Sequence, residues 1–412
     1  MIKEEEYKKR RDIFSKKLKD NSIAIFSSAK PKIRSNDTEY PYRQDSNFYY
    51  LSGFKEDNSY IVFMKKDNIA QSFLFVQKKD AKDELWNGKR VGKEEAKKRF
   101  LFDKILVSKK FKKFKKKLKS VYEVDKDASA NVSLMRLIKS KAEINLIKKA
   151  INITEKAHHR AMNFDKISKK EYQLQAEIEY LFKKNGSYSD AYSSIVASGD
   201  SANTLHYIEN NKLFKDEDLI LIDAGCEYQY YASDITRTIP VSGKFSQAQK
   251  ELYDLVLDVQ KKIIKMIKPN IKRSTLQKKA EVLLTKGMIE KGILRGEYKK
   301  LIKNHKHKRY YPHGIGHWMG LDVHDKAPYK DKNNKEIKLQ KGMVLTIEPG
   351  LYISKDDKDV PEKFRGIGIR IEDDILVTKK SYKNLSSNIV KSIEDIEVIS
   401  SQLPKNLEFI RG

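Results

Sequence analysis

The chain has 412 residues, 39% of them hydrophobic, which is enough for substantial cores and suggests two or three domains. Its charged start, "MIKEEEYKKRRDIF", lacks an apolar signal core, and no run nears the roughly 18 apolar residues of a membrane span, so a cytoplasmic protein with no membrane partner is expected. The single cysteine, Cys226, excludes an intramolecular disulfide and reads as a small buried filler; the net charge of +28 is mostly lysine scattered along the chain, so no specific nucleic-acid partner is expected.

Up to about residue 125, β-rich runs ("SIAIFSS", "NFYYLSGF", "SYIVFMKK", "QSFLFVQ", "KILVSK") alternate with amphipathic stretches at 4–19 and 93–100, which predicts a mixed sheet flanked by helices. In the basic stretch 97–120, Phe111, Phe114 and Leu118 fall at helical spacing, so its lysines read as the solvated face of a helix. The polar segment "DKDASANVS", residues 125–133, reads as a linker, giving domains at 1–130 and 138–412.

Beyond it, capping boxes announce three helices: Ser140 with Glu143, Ser168 with Glu171 and Ser246 with Gln249. Gly186 is placed to end the second and Pro269 the third, and a fourth is predicted over about 275–289. Strand-like runs follow each pair: "SSIVASG", "LILIDAG" and "YASDITRTIPV", then "MVLTIEPGLYI" and "GIGIRIEDDILVT". Two helices then strands, twice over, suggest duplicated halves around a shared site.

Charged residues inside apolar strands are costly unless paired or bound to metal. Asp223 ends "LILID", Asp234 is expected on the next strand, Glu348 interrupts "MVLTIEPG" and Glu372 interrupts "GIGIRIEDD"; Arg370, two residues before Glu372, should share its face. The segment "PHGIGHWMGLDVHD", residues 312–325, adds His313, His317 and His324, three of the eight histidines, among glycines that permit tight turns. Four carboxylates brought together repel one another unless about four positive charges neutralise them, which two divalent cations supply. His317 is the expected nitrogen ligand. Such an oxygen-rich set favours a harder metal, Mn²⁺ before zinc, while remaining compatible with Co²⁺, Fe²⁺ or Zn²⁺. The reaction class expected is metal-assisted hydrolysis.

In this order, "DAGCEYQYYASDITRT", "HGIGHWMGLDVHD", "TIEPGLY" and "GIGIRIEDD" resemble the pita-bread metallopeptidases, and among them aminopeptidase P; "SNDTEYPYRQDSNFYYLSGF" and "ELWNGKRVG" look like that family's N-terminal creatinase-like domain. The resemblance covers nearly the whole chain. It implies an α/β (α+β) protein: a mixed α/β N-terminal domain, then a pita-bread catalytic domain with an internal pseudo-twofold repeat. It further implies Asp223, Asp234, His317, Glu348 and Glu372 as ligands of two divalent ions, with Asp234 and Glu372 bridging them. A metal-bridging hydroxide would be the nucleophile, and Glu348 would handle its proton, as base and then acid. His206, His313, His324 and Arg370 match residues that handle the substrate or support the site, while Trp86, Tyr192 and Asp37 are the substrate-binding candidates. His158, His159, His305 and His307 read as surface or packing residues.

The substrate implied is a peptide with proline second, whose amide nitrogen carries no hydrogen and whose ring fixes the backbone, so that it needs a site shaped around it. The assembly implied is a homodimer or homotetramer. "PHGIGH" is closer in wording to prolidases, which cleave Xaa-Pro dipeptides and are the nearest alternative. A non-catalytic binding protein of this fold, or a metal-free creatinase, is disfavoured because all five ligand positions are filled.

Overall fold

The structure is a computed structural model and describes residues 2–402. The chain forms two compact units, Met1–Arg136 and Leu137–Gly412.

In the N-terminal unit a five-stranded sheet runs in the order Lys104–Val107, Ile69–Val76, Tyr60–Lys66, Ser22–Ser27, Glu123–Val124. The central three strands are antiparallel and each edge strand joins in parallel. The basic segment does form a helix, Phe111–Lys119, which buries Phe111 and Leu118 against Val62, Phe73 and Phe75 and leaves most of its lysines exposed. "NFYYLSGF" is helical rather than extended: Ser46–Ser52 is a helix. Local capping overrides the β preference of its aromatics, since the Asp45 carboxylate accepts the Phe48 N–H and Gly53 closes the helix at φ +65°. The segment read as a linker is also mostly helix, Ala128–Leu137, because Ala128, Val132 and Arg136 recur every four residues and are buried.

The C-terminal unit repeats one order of elements. Helices Lys141–Met162 and Glu171–Lys184 precede strands Ile195–Ser198, Leu219–Asp223 and Thr236–Pro240; helices Gln247–Lys265 and Arg273–Glu290 precede Val344–Ile347, Asp373–Val377 and Tyr382–Asn384. Each set of strands forms an antiparallel three-stranded sheet, centred on Leu219–Asp223 in the first and Asp373–Val377 in the second. The boxes at Ser140 and Ser246 cap their helices as expected. Ser168 does not cap the second. It has φ +53°, Lys170 is the cap residue, and its backbone N–H is bound by the Gln173 side chain. Glu171 is thereby released for another role and is completely buried. One continuous core, including Ile153, Ile178, Leu252, Val256, Ile263, Ile347 and Ile375, packs the helices on the sheets. Each such side chain contributes roughly 1.5–3 kcal/mol. Cys226 lies in this core with its thiol pushed up to about 11 by burial, as a filler does. No helix among the described residues is long and apolar enough to cross a membrane.

Candidate metal centre

Each half delivers two acids at the ends of paired strands. Asp223 is the last residue of its strand and pairs with Thr236; Asp234 lies in the break before that partner strand, not within it as the sequence suggested. Glu348 follows the strand Val344–Ile347 and Glu372 precedes Asp373–Val377, whose ends pair as Ile347 with Asp373. A backbone bond from Glu372 N–H to the Thr236 carbonyl, 3.1 Å, links the halves at this point. The placement of acids at strand ends follows from sheet chemistry, because there the carboxylate leaves the apolar layer while the ladder still holds its backbone.

The histidine segment is fixed from the other side. Ile315 N–H donates to Gln277 Oε1 at 2.6 Å and Arg273 donates to the Gly316 carbonyl, so the first turns of helix Arg273–Glu290 carry the loop. His317 N–H donates to Thr346 Oγ1 and Thr346 N–H to the His317 carbonyl. A Cβ at Gly316 would lie 1.9 Å from the Thr346 carbonyl oxygen. Gly316→Ala is therefore expected to destabilise the fold by at least about 1–3 kcal/mol. Urea unfolding measures this, and an unchanged midpoint would contradict so close an approach.

Three overlapping groups of side chains each place ligand atoms within 4.8 Å of one another: Asp223, Asp234 and Glu372; His317, Glu348 and Glu372; and Asp234, His317 and His324. Their union contains the four acids and the one histidine expected as ligands. His317 Nε2 lies 3.2 Å from Asp234 Oδ2 and 3.7 Å from Glu348 Oε1. Its Nδ1 sits 3.2 Å from the Trp318 carbonyl, which makes Nδ1 the donor there and leaves Nε2 directed at the carboxylates.

Among the described residues, Arg370 is the one guanidinium lining this cavity. It donates to Asp223 Oδ2 at 2.6 Å, Thr236 Oγ1 at 3.1 Å and Tyr352 Oη at 3.0 Å. Thr236 passes the contact on to Glu372 Oε2 at 2.7 Å, so Arg370 and Glu372 do meet on one face. Tyr192 Oη donates to Asp223 Oδ1 at 2.6 Å. His313 Nε2 lies 2.8 Å from Tyr352 Oη and its Nδ1 2.8 Å from the Gly314 carbonyl. Because Tyr352 accepts from Arg370, it donates to His313, which leaves a neutral imidazole with its hydrogen on Nδ1.

The electrostatics are those of a site short of positive charge. Burial, then the neighbouring carboxylates, pushes the Glu372 carboxyl well above the usual range and Glu348 up to about 7. Asp223 is raised by burial despite Arg370. Burial lowers His313 to about 4, with Arg370 reinforcing it, and lowers His324 beside His317. His317 behaves oppositely: burial disfavours its charge, yet Asp234 and Glu348 prevail and raise it to about 9. Four carboxylates facing one guanidinium and one imidazole fit two divalent cations, which would replace the protons otherwise needed there.

A cavity of about 650 Å³ surrounds these groups, with Tyr192, His206, His313, His324 and the apolar Ile195, Leu205, Ile208 and Val323 in its lining. Trp86 and Asp37 belong to the N-terminal unit; Trp86 is 79% exposed on the helix Ala81–Asn87, and Asp37 is exposed in a hairpin turn. The structure adds Thr236, Thr346, Tyr352 and Asp374, which the sequence reading did not single out. Thr236, Thr346 and Asp374 were legible as residues two from Asp234, Glu348 and Glu372 on extended backbone, whereas Tyr352 reaches the site only through the pairing of Gly350–Tyr352 with Gly368–Arg370. His158 and His307 are buried packing residues, and His158 Nε2 bonds to the Ala224 carbonyl.

Comparison with known proteins agrees with this arrangement. Residues 145–379 match "Metallopeptidase family M24", and residues 7–126 match "Aminopeptidase P, N-terminal domain". The chain is 39% identical to an Xaa-Pro aminopeptidase of Haemophilus influenzae over 96% of its own length and 97% of that protein. It is 38% identical to the Xaa-Pro aminopeptidase of Escherichia coli, over 97% and 98%. The structure superimposes on zinc-substituted E. coli aminopeptidase P in complex with product with a TM-score of 0.91, at 36% identity, covering 97% of this chain and 98% of that one. The pita-bread catalytic fold, the duplicated strand ends and the clustered carboxylates thus have one common explanation: the chain belongs to metallopeptidase family M24, with an aminopeptidase P N-terminal domain ahead of its catalytic domain.

Proposed function

We propose that the chain is an Xaa-Pro aminopeptidase, releasing the first residue of peptides that have proline second. The observation that carries this reading is the convergence of Asp223, Asp234, His317, Glu348 and Glu372 in one cavity, within a chain alike over its whole length to proteins of that activity. Those five residues would hold two divalent cations, with Asp234 and Glu372 shared between them; the oxygen-rich set favours Mn²⁺. Held there, two divalent cations would supply Lewis-acid polarisation of the scissile carbonyl and acidify a water enough for attack near neutral pH.

The rest is done by the chain. Glu348 takes a proton from the attacking water at its carboxylate and returns it to the proline nitrogen, which has no hydrogen of its own and must leave as a secondary amine. His313, held neutral between Tyr352 and Gly314, offers a fixed polar edge to the peptide without adding charge. His206 and His324 face the same cavity and steady the charge that builds on the carbonyl oxygen. Tyr192 and Arg370 hold Asp223 in place.

The test is hydrolysis of Ala-Pro-Phe against Ala-Pro by metal-stripped protein refilled with Mn²⁺. Metal-dependent release of alanine from the tripeptide, with the dipeptide cut poorly, is the expected result. Preference for the dipeptide would make it a prolidase. Failure to cut either with any divalent metal would end the peptidase reading. Light scattering decides between the homodimer and homotetramer that we expect.

A further inference from the structure

We propose that Glu171 and Tyr207 form a clamp that positions His206 against the peptide. The segment "GDSANTLHYIENNK" leaves the strand Ile195–Ser198 at Gly199 and returns at the bridge between Leu213 and Lys170. It has only a short 3₁₀ turn, Gly199–Asn203, of its own. Yet it supplies Leu205, His206 and Ile208 to the cavity. A stretch with so little regular structure needs other bonds to present a histidine in one place.

Glu171 provides them. This first residue of helix Glu171–Lys184 is completely buried, and its carboxylate accepts four hydrogen bonds from three points of the segment. At one end Ser198 donates its N–H at 2.8 Å and its hydroxyl at 2.6 Å to Oε1. At the other end Lys212 N–H donates to Oε2 at 3.0 Å. In the middle Tyr207 Oη donates to Oε2 at 2.7 Å. The four donors fill the acceptor capacity of one carboxylate. The Tyr207 ring is packed with Ile195, Ala197, Leu221 and Tyr352. His206 and Ile208, its neighbours in the chain, line the cavity while Tyr207 turns away from it toward Glu171. Fixing Tyr207 therefore fixes the direction in which His206 leaves the backbone. Asn210 ties the same segment separately, accepting Val196 N–H and donating to the Ser194 carbonyl and Gln175. Loss of the Tyr207 hydroxyl should thus loosen the segment without releasing it.

The kinetic arm of the test rests on the Xaa-Pro reading. Tyr207→Phe is expected to lower kcat/KM for Ala-Pro-Phe by about tenfold, with metal content per chain unchanged. Glu171→Gln, whose amide hydrogens must face one of the donors, is expected to act in the same direction. In a His206→Ala background Tyr207→Phe should cost less than about twofold, because the residue through which it acts is gone. An undiminished cost in that background, or no cost in the parent, would overturn the clamp, since a merely structural effect multiplies. Amide exchange supplies an arm that needs no activity. Tyr207→Phe should speed exchange over 199–212 while leaving strands 344–347 and 373–377 unchanged. Unaltered exchange over 199–212 would overturn the proposal even if the parent cut no Xaa-Pro peptide, a result that would separately end the functional reading.

Discussion

Asp234→Ala is expected to reduce turnover of Ala-Pro-Phe by about 10³-fold or more, because residues acting as one unit in catalysis show losses of that order when one is removed. Asp234 belongs to two of the three groups of potential ligands, as a residue shared between the two proposed ion positions would. Removing its carboxylate would take one donor from both proposed positions, and it takes a negative charge from beside His317. The fold should survive. What anchors this point to Asp374 is the backbone N–H of Asp234, 3.1 Å from Asp374 Oδ2, and alanine keeps that bond. The expected result is thus near-wild-type circular dichroism, a fall from two bound metals per chain toward one by elemental analysis, and activity close to background. Retention of two metals with near-normal turnover would sink the bridging assignment.

Metal-free protein is expected to lose stability as the pH rises from about 6.5 to about 9, and Mn²⁺-loaded protein to pull away from it over that range. His317 is the main cause. In the folded, metal-free chain its pKa lies at about 9, above the unfolded value of about 6.5. Its contribution is complete below the unfolded value and disappears as the pH passes through the folded one. The difference corresponds to about 3 kcal/mol. Glu348, raised to about 7 chiefly by burial, loses its contribution mainly between its unfolded value of about 4.5 and pH 7, so only the end of that loss falls above pH 6.5. His313 acts against both, but at lower pH: burial depresses it to about 4, so the fold gains stability as the pH rises from there to about 6.5. The two trends oppose each other on the acid side and leave a net fall above pH 6.5. Divalent cations displace the same protons, so their affinity rises with pH. Thermal melts at pH 6.5, 7.5 and 9, with EDTA or with Mn²⁺, should show a gap in melting temperature that widens. A constant gap would argue against His317 and Glu348 as ligands.

Much of the centre was legible from residue order because its chemistry is expensive. An acid at the end of an apolar run, such as Asp223 after "LILI", has few reasons to be there. The capped helices and the two-fold order of elements were legible for a similar reason, since Ser140 and Ser246 act on their own next turn and periodic apolar residues state which face is buried. Where readings failed, the competing signal was also local but quieter. Asp45 and Gly53 turned an aromatic run into a helix, and alanine and valine at four-residue spacing turned an apparent linker into one.

Tertiary structure alone decided how these pieces act on each other. Glu171 looked like the third residue of a capping box, and only the return of the chain at Lys212 and the strand at Ser198 shows it holding the loop of His206. Tyr352 joins His313 to Arg370 across residues separated by 57 positions, a relation made by strand pairing. By itself the sequence determined which groups must be neutralised, because the cost of burying charge belongs to each side chain. Which partners neutralise, orient or clamp them is decided by distance, and distance between remote residues exists only once the two halves have folded together.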